Sequence, residues 1–230
     1  MHIPDGYLPI GVTLSGYAVA GLLTWYSLKK INNKYPKELK ANEQRKDPRG
    51  EIPKASLLTA AFIVASLIHI PVPPTTVHLM LSGLMGMLLG YYAVPAILIG
   101  ITLQAIMFHH GGITTIGINT INFAIPALLS YFLFSNLIRK IKLNTKSLSL
   151  IGFTAGIFGS ALSVLMFTLI LVIFIPTELS VIQEKQAIFT LSLAHIPVIL
   201  IEGVFSALLL AYLYKTKPKI IEDMWHYEIR

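Results

Sequence analysis

The sequence predicts an all-α, polytopic membrane protein of seven transmembrane helices, with its N-terminus outside and its C-terminus cytoplasmic. Three observations carry this. The 230 residues are 54% apolar and only 13% charged, with a mean hydropathy of +0.69, whereas a soluble domain carries roughly a quarter charged residues. Several apolar runs reach the roughly 20 residues that a helix needs to cross a bilayer. The cationic residues are also segregated: of the 18 Lys and Arg residues, all but Lys185 fall in three segments that seven spans place on one side. Basic loops stay in the cytoplasm, which sets the orientation.

The spans lie at about 10–28, 55–70, 77–90, 91–108, 116–138, 148–175 and 193–214, and together make residues 1–230 a single integral membrane domain. The first stops at Lys29-Lys30. No basic region precedes it, so it reads as a span and not as a cleaved signal peptide. Residues 29–54, KKINNKYPKELKANEQRKDPRGEIPK, are rich in Pro, Asn and charge without an apolar period, and form a basic cytoplasmic loop. The second span ends at an outer loop, IPVPPTTVH. The third and fourth form a short pair, with Gly83, Gly86 and Gly90 punctuating the third. The fifth ends at the basic RKIKLNTKS. The sixth carries Gly152 and Gly156 as GxxxG, spacing that allows close helix approach for internal packing or docking. The seventh ends at KTKPKIIEDMWHYEIR. The formal charge of +7 is thus a topology signal and implies no nucleic-acid partner. The absence of cysteine excludes disulfides and thiolate metal sites.

This topology sorts the histidines. His2, His69, His78, His109, His110 and His195 fall at the outer face, and only His226 falls inside. Imidazole suits nickel, copper, zinc and cobalt. Any one of these side chains can equally be a hydrogen-bonded membrane-edge residue. His2 is chemically different. The amine of Met1, the amide nitrogen of residue 2 and the His2 imidazole can form two fused chelate rings around one ion, a tetragonal nitrogen set that nickel(II) and copper(II) favour. One more imidazole would complete a square. Pro4 and the Asp5-Gly6 pair form a turn that folds the terminus back.

Other polar residues stand out. Asn119 and Asn122 share a helix face, either orienting the outer loop or a ligand histidine, or with Asn119 as a helix cap. Gln104 invites the same reading. Glu202 lies seven residues past His195, about 10 Å along a helix, inside the hydrocarbon. It either hydrogen-bonds another helix or contacts a partner. The chain lacks GxxxxGK[ST] and HExxH, and shows no internal repeat. A pump or antiporter acting alone is therefore disfavoured. A metal-binding subunit energised by partners remains. The alternatives are a membrane metalloenzyme, with Asp5 as the close base, or a passive channel, for which spans two to four lack pore-lining polar residues.

Four stretches carry a resemblance: MHIPDGYLP at the start, PVPPTTVHLMLSGLMGMLLG, LQAIMFHHGGITTIGINTINFAIPA, and HIPVILIEGVFSALLLAYL near the end. Together they resemble the cobalt/nickel transport M-type family, CbiM and NikM, the substrate-binding membrane subunits of energy-coupling factor transporters. The resemblance implies Ni2+ or Co2+ as transported substrate, held by Met1, His2 and a second-block histidine that maps onto His78. His69, His110 and His109 remain alternatives. It also implies an outer loop over the site, containing His110, Gly111 and Gly112, followed by Gly117, Asn119 and Asn122. The expected partners are a transmembrane coupling subunit, two ATP-hydrolysing subunits and a small accessory membrane protein. The chain itself would then be no enzyme, and would sit as a multi-pass protein in the cell membrane. The PDG opening and the square of nitrogens favour nickel over cobalt.

Overall fold

The computed structural model describes residues 2–34, 51–72, 75–140, 144–176, 180–218 and 221. Met1, residues 35–50 of the basic loop and the C-terminal segment with His226 lie outside the described residues. The elements are α1 (Ile10–Lys34), α2 (Glu51–Leu67), β1 (His69–Val72), β2 (Thr75–His78), α3 (Ser82–Leu89), a single 3-10 turn (Gly90–Tyr92), α4 (Ala93–Phe108), α5 (Ile116–Ile138), α6 (Thr145–Ile173), α7 (Val181–Ala194) and α8 (Ile196–Thr216). Four helical stretches among the described residues are long and apolar enough to cross a membrane: Ser82–Phe108, Ile116–Ile138, Thr145–Ile173 and Val181–Thr216.

α5 is the hub, packed by α1, α3, α4 and α6. Glycines permit the closest approaches. A Cβ on Gly86 would run into the backbone of Ala127, and one on Gly159 into Gly83. A Cβ at Gly117 would meet Gly16 at 2.5 Å, so α1 and α5 touch backbone to backbone beside the N-terminal arm. Gly152 and Gly156 face Ser206 and Leu210 of α8, so the GxxxG spacing serves packing within the chain. The stretch Ser82–Phe108 is not one rod. Gly86 lies against Ala127 and Gly90 against Tyr131 on α5, while α4 climbs back until His110 and Gly111 reach the level of His2 and Asn119. α3 descends, the turn at Gly90 (φ +56°) reverses the chain, and α4 returns.

Three expectations need correction. The helix ends at Leu67 and not near residue 70, because His69–Val72 pairs antiparallel with Thr75–His78 and places His69 opposite His78. A small hairpin thus interrupts the all-α reading. Pro71 and the β-branched Val72, Thr75, Thr76 and Val77 favour extended backbone over helix. The third span, expected from residue 77, is helical only from Ser82. Residues 79–81 are irregular backbone, and the bundle satisfies them: the Glu202 carboxylate accepts from the N–H groups of Met80 and Leu81 (3.0 Å for Leu81) and from the Ser160 hydroxyl. Non-helical backbone at membrane depth is tolerated only when buried against protein in this way. The seventh span has an upstream extension. α7 runs into α8 through His195, with Pro197 one residue into the new helix. The polar Gln183, Glu184, Lys185 and Gln186 keep the mean hydropathy of this stretch low although it is helical.

Candidate metal centre

The N-terminal arm crosses the end of the bundle where α4 stops and α5 starts. Ile3 is docked by its backbone. Its N–H donates to Asn119 Oδ1 (2.9 Å), and its carbonyl accepts from Asn119 Nδ2 (3.1 Å) and from the Thr115 hydroxyl (2.7 Å). The Asn119 amide thus meets Ile3 with both of its halves, as a neighbouring strand would. Two residues on, the Asp5 carboxylate accepts from the N–H groups of Ile113 (3.0 Å) and Thr114 (2.8 Å) and from the Thr114 hydroxyl (2.5 Å). These bonds hold the Asp5 carboxyl below the usual carboxylate range, the Thr114 hydroxyl contributing most.

The loop between α4 and α5 follows the arm closely. α4 ends with His109 in a left-handed conformation (φ +51°), and the His110 N–H reaches back to the Gln104 carbonyl at 3.0 Å. Gly111 has φ +89°, and a Cβ there would lie 3.1 Å from the Cβ of His2. A Cβ on Gly112 would lie 2.5 Å from the backbone nitrogen of Asp5. The glycines therefore let the loop lie flat on the arm.

Between arm, loop and hairpin three imidazoles converge. Ring centres are 5.2 Å apart for His2 and His78, 4.4 Å for His2 and His110, and 5.0 Å for His78 and His110. One ring nitrogen from each can be chosen so that all lie within 4.8 Å of one another. With a metal–nitrogen bond of about 2.0–2.1 Å, two imidazoles on one ion have centres roughly 4.5 Å apart at a right angle and roughly 6.4 Å apart when opposed. All three pairs fall near or inside that range. Phe123 closes the floor, 5.2 Å from the His2 ring centre.

The backbone and burial set the protonation of these rings. His78 Nδ1 lies 2.9 Å from the Leu79 carbonyl, which can only accept, so Nδ1 carries the proton and Nε2 presents its lone pair. Nε2 of His110 is 3.4 Å from that atom. Burial pushes His78 down to about 2, His110 to about 4 and His2 well below its ordinary value, with the neighbouring imidazoles adding to the effect. All three are neutral at physiological pH, the form that binds metal. Both ring nitrogens of His2 are buried with no partner at ordinary hydrogen-bond distance among the described residues, although the Gln104 side chain lies close enough to act on the ring. Gln104 donates from Nε2 to Ser66 (2.7 Å), and its buried Oε1 has no partner at ordinary hydrogen-bond distance among the described residues. Orphaned buried polar atoms are rare and point to a missing partner.

The residues singled out in the sequence separate here. His2, His78, His110, Gly111, Gly112, Asn119 and Asp5 meet at one place. His69 stands at its edge, 5.8 Å from His110 and 6.4 Å from His78 between ring centres. His109 is exposed. Asn122 is buried one turn beyond Asn119, with neither amide atom partnered among the described residues. Glu202 holds the chain two residues past His78. Met1 lies outside the described residues. Thr114, Thr115 and the hairpin escaped the sequence reading; the β-branched VPPTTV around a Pro-Pro pair was the available signal for the hairpin.

Comparison with known proteins points the same way. The model of the CbiM family, described as the cobalt uptake substrate-specific transmembrane region, matches residues 2–220. A Haemophilus influenzae protein named for metal transport is 28% identical over 223 residues, 96% of this chain and 97% of that one. The fused nickel transport protein NikMN of Rhodobacter capsulatus is 36% identical over 129 residues, 54% of this chain and 33% of the relative. The solved structure of a transition metal transporter shares the fold, with a TM-score of 0.73 at 22% identity over the whole of both chains.

Proposed function

We propose, from the premise that this chain belongs to the CbiM family of cobalt-uptake substrate-specific transmembrane proteins, that it captures Ni2+ or Co2+ for an ATP-driven transporter of the energy-coupling factor type. Membership makes it a membrane component of metal transport, not itself an enzyme. The cargo ion sits at the outer face. Its ligands are the amine of Met1, the amide nitrogen and imidazole of His2, and the imidazole of His78. The single observation that carries this reading is the convergence of the His2, His78 and His110 ring nitrogens, those of His2 buried with no partner at ordinary hydrogen-bond distance among the described residues. The tetragonal nitrogen set of the terminal chelate favours nickel over cobalt.

The helix directions support seven crossings of one membrane domain in the cell membrane. α1, α3, α5 and α8 lead away from the metal centre, α2, α4 and α6 lead toward it, and α7 continues α8 outward. The basic ends of α1 at Lys29-Lys30, of α5 at Arg139-Lys140 and of α8 at Lys215 then share the cytoplasmic side. Energy comes from a transmembrane coupling subunit and two ATP-hydrolysing subunits, with a small accessory membrane protein.

The test uses the full chain with an unmodified terminus, a version with one Ala placed before Met1, His2→Ala and His78→Ala. Bound Ni2+ or Co2+ per chain is measured beside membrane abundance. The native chain should hold one ion, and the three variants should lose it while keeping their membrane level. Binding by the Ala-extended chain as tight as native would overturn the terminal chelate. Retained binding in His78→Ala would move the fourth ligand to another outer histidine.

A further inference from the structure

Among the imidazoles at this end of the bundle, exposure falls in steps: His69 is exposed, His110 is half-buried and His78 is buried. The distances fall in the same order. His69 is 5.8 Å from His110, and His110 is 5.0 Å from His78 and 4.4 Å from His2, between ring centres. The 5.8 Å between the ring centres of His69 and His110 falls inside the roughly 4.5–6.4 Å open to two imidazoles on one ion. His69 and His78, at 6.4 Å, could share an ion only with it on the line between them. His69 Nδ1 lies 2.9 Å from the Leu67 carbonyl, so that nitrogen carries the proton and Nε2 is left as the donor atom. Antiparallel pairing of His69 with His78 fixes the spacing of these two residues in the backbone, since the hairpin carries both.

We propose that His69 and His110 form an outer loading station for a divalent transition-metal cation, through which the ion passes to the buried site. The proposal rests on the metal-capture reading above. The ion first binds His69 Nε2 and the His110 imidazole and sheds part of its water shell to bulk. His110 then serves as the pivot. The bond to His69 breaks, bonds to His78, the His2 imidazole and the Met1 amine form, the His2 amide gives its proton to water as its nitrogen joins them, and His110 and the remaining waters leave. No electron is transferred; one set of nitrogen lone pairs replaces another. A cation entering a closed site otherwise has to lose most of its water before it gains ligands, and an intermediate two-imidazole station divides that desolvation into two smaller steps. His69 acts only along the path, so it speeds entry and exit alike and leaves the final affinity alone.

Stopped-flow mixing of Ni2+ alone with the purified full chain, its native terminus intact, tests this beside equilibrium titration. For His69→Ala the association and dissociation rates should both fall about tenfold, with the equilibrium constant within a factor of two or three of native. His69→Asp, which restores a donor atom on the same strand, should recover part of the rate. Unchanged rates in His69→Ala would overturn the proposal. So would weakened affinity with an unchanged association rate, which would make His69 a resident ligand or a prop for the hairpin. The two readings fail differently. A native chain that binds no Ni2+ or Co2+ defeats metal capture itself, whereas tight native binding with identical kinetics in His69→Ala defeats only the loading station.

Discussion

Asp5 and Glu202 perform the same chemical task at opposite extremes of solvent access. Each carboxylate accepts from two successive backbone N–H groups of a distant segment and from one hydroxyl: Ile113, Thr114 and the Thr114 side chain for Asp5, and Met80, Leu81 and Ser160 for Glu202. Each segment holds a histidine of the candidate metal centre close by, His110 three residues before Ile113 and His78 two residues before Met80. Asp5 is exposed, and water can replace every bond it makes. Glu202 is 1% exposed, in the middle of a spanning helix. The same bonds therefore differ in consequence. The Asp5 contacts shape a loop that would otherwise be solvated. The Glu202 contacts are what allow the chain to leave helical geometry at depth, because a buried N–H without a partner costs far more than an exchangeable one.

The strongest way to sharpen that contrast is Glu202→Ala. It strands two buried N–H groups at about 1–3 kcal/mol each, so thermal unfolding in detergent should show a large loss of stability or no folded protein. Glu202→Gln keeps an acceptor oxygen and should fall between. A melting temperature of Glu202→Ala within about 3 °C of native would mean that the N–H groups have other partners.

Gly112→Ala comes next. Its Cβ would lie 2.5 Å from the Asp5 backbone nitrogen, so arm and loop have to part. Bound metal per chain should fall by more than half while most of the helical signal on circular dichroism survives. Gly6→Ala is the control for backbone strain alone: Gly6 has positive φ (+82°), which Gly112 does not, and a Cβ at Gly6 meets nothing within 4 Å. It should cost about 1 kcal/mol with binding largely kept. Equal metal loss in both variants would mean that any disturbance of the arm, and not the close approach at Gly112 in particular, governs its docking.

The dependence on pH gives a moderate effect of known sign. Burial lowers the folded-state values of His110 to about 4 and His78 to about 2, from about 6.5 in the unfolded chain. Below pH 6.5 the unfolded chain takes up protons that the folded one refuses. The stability of the metal-free protein is therefore complete above pH 6.5 and declines as pH falls toward 4. Melting curves of metal-free protein at several pH values should show this, and His78→Gln should flatten the decline. A stability independent of pH between 7 and 4.5 would mean that these rings are hydrated and not buried.

Asp5→Ala gives the smallest expected change. Surface interactions of this kind contribute little, so the melting temperature should move by no more than about 2–4 °C, with metal binding weakened several-fold through the loop. The folded-state value of Asp5 is depressed, so its contribution is present above pH 4 and fades only as pH falls below that. An effect of Asp5→Ala as large as that of Glu202→Ala would erase the distinction between the two carboxylates.

Local physics made much of this protein readable from the sequence. The helices near residues 10–28, 91–108, 116–138 and 148–175 were legible as apolar runs, because hydrophobic length is a property of a contiguous segment. The terminal chelate was conceivable for the same reason, since its amine, amide and imidazole belong to one dipeptide. Asn119 and Asn122 could be placed on one face by spacing alone. The sequence pattern failed where backbone leaves the helix. His69–Val72 read as part of a span or loop because four residues give too short a period to separate strand from helix, and only pairing with Thr75–His78 stabilises them.

Tertiary structure decided which histidines meet. His2, His69, His78 and His110 lie on the arm, the two strands and the loop after α4, and nothing in their spacing ranks His110 above its neighbour His109. The left-handed end of α4 at His109 does that, leaving one ring exposed and bringing the other to within 4.4 Å of His2. The role of Glu202 was equally hidden, because its partners Met80 and Leu81 lie more than 120 residues away along the chain. What the sequence by itself determined was where the chain can sit in a membrane and which atoms within one short segment can bind together. Convergence of distant segments depends on packing at backbone distance, glycine against backbone and carboxylate against amide, and that is settled only when the helices are assembled.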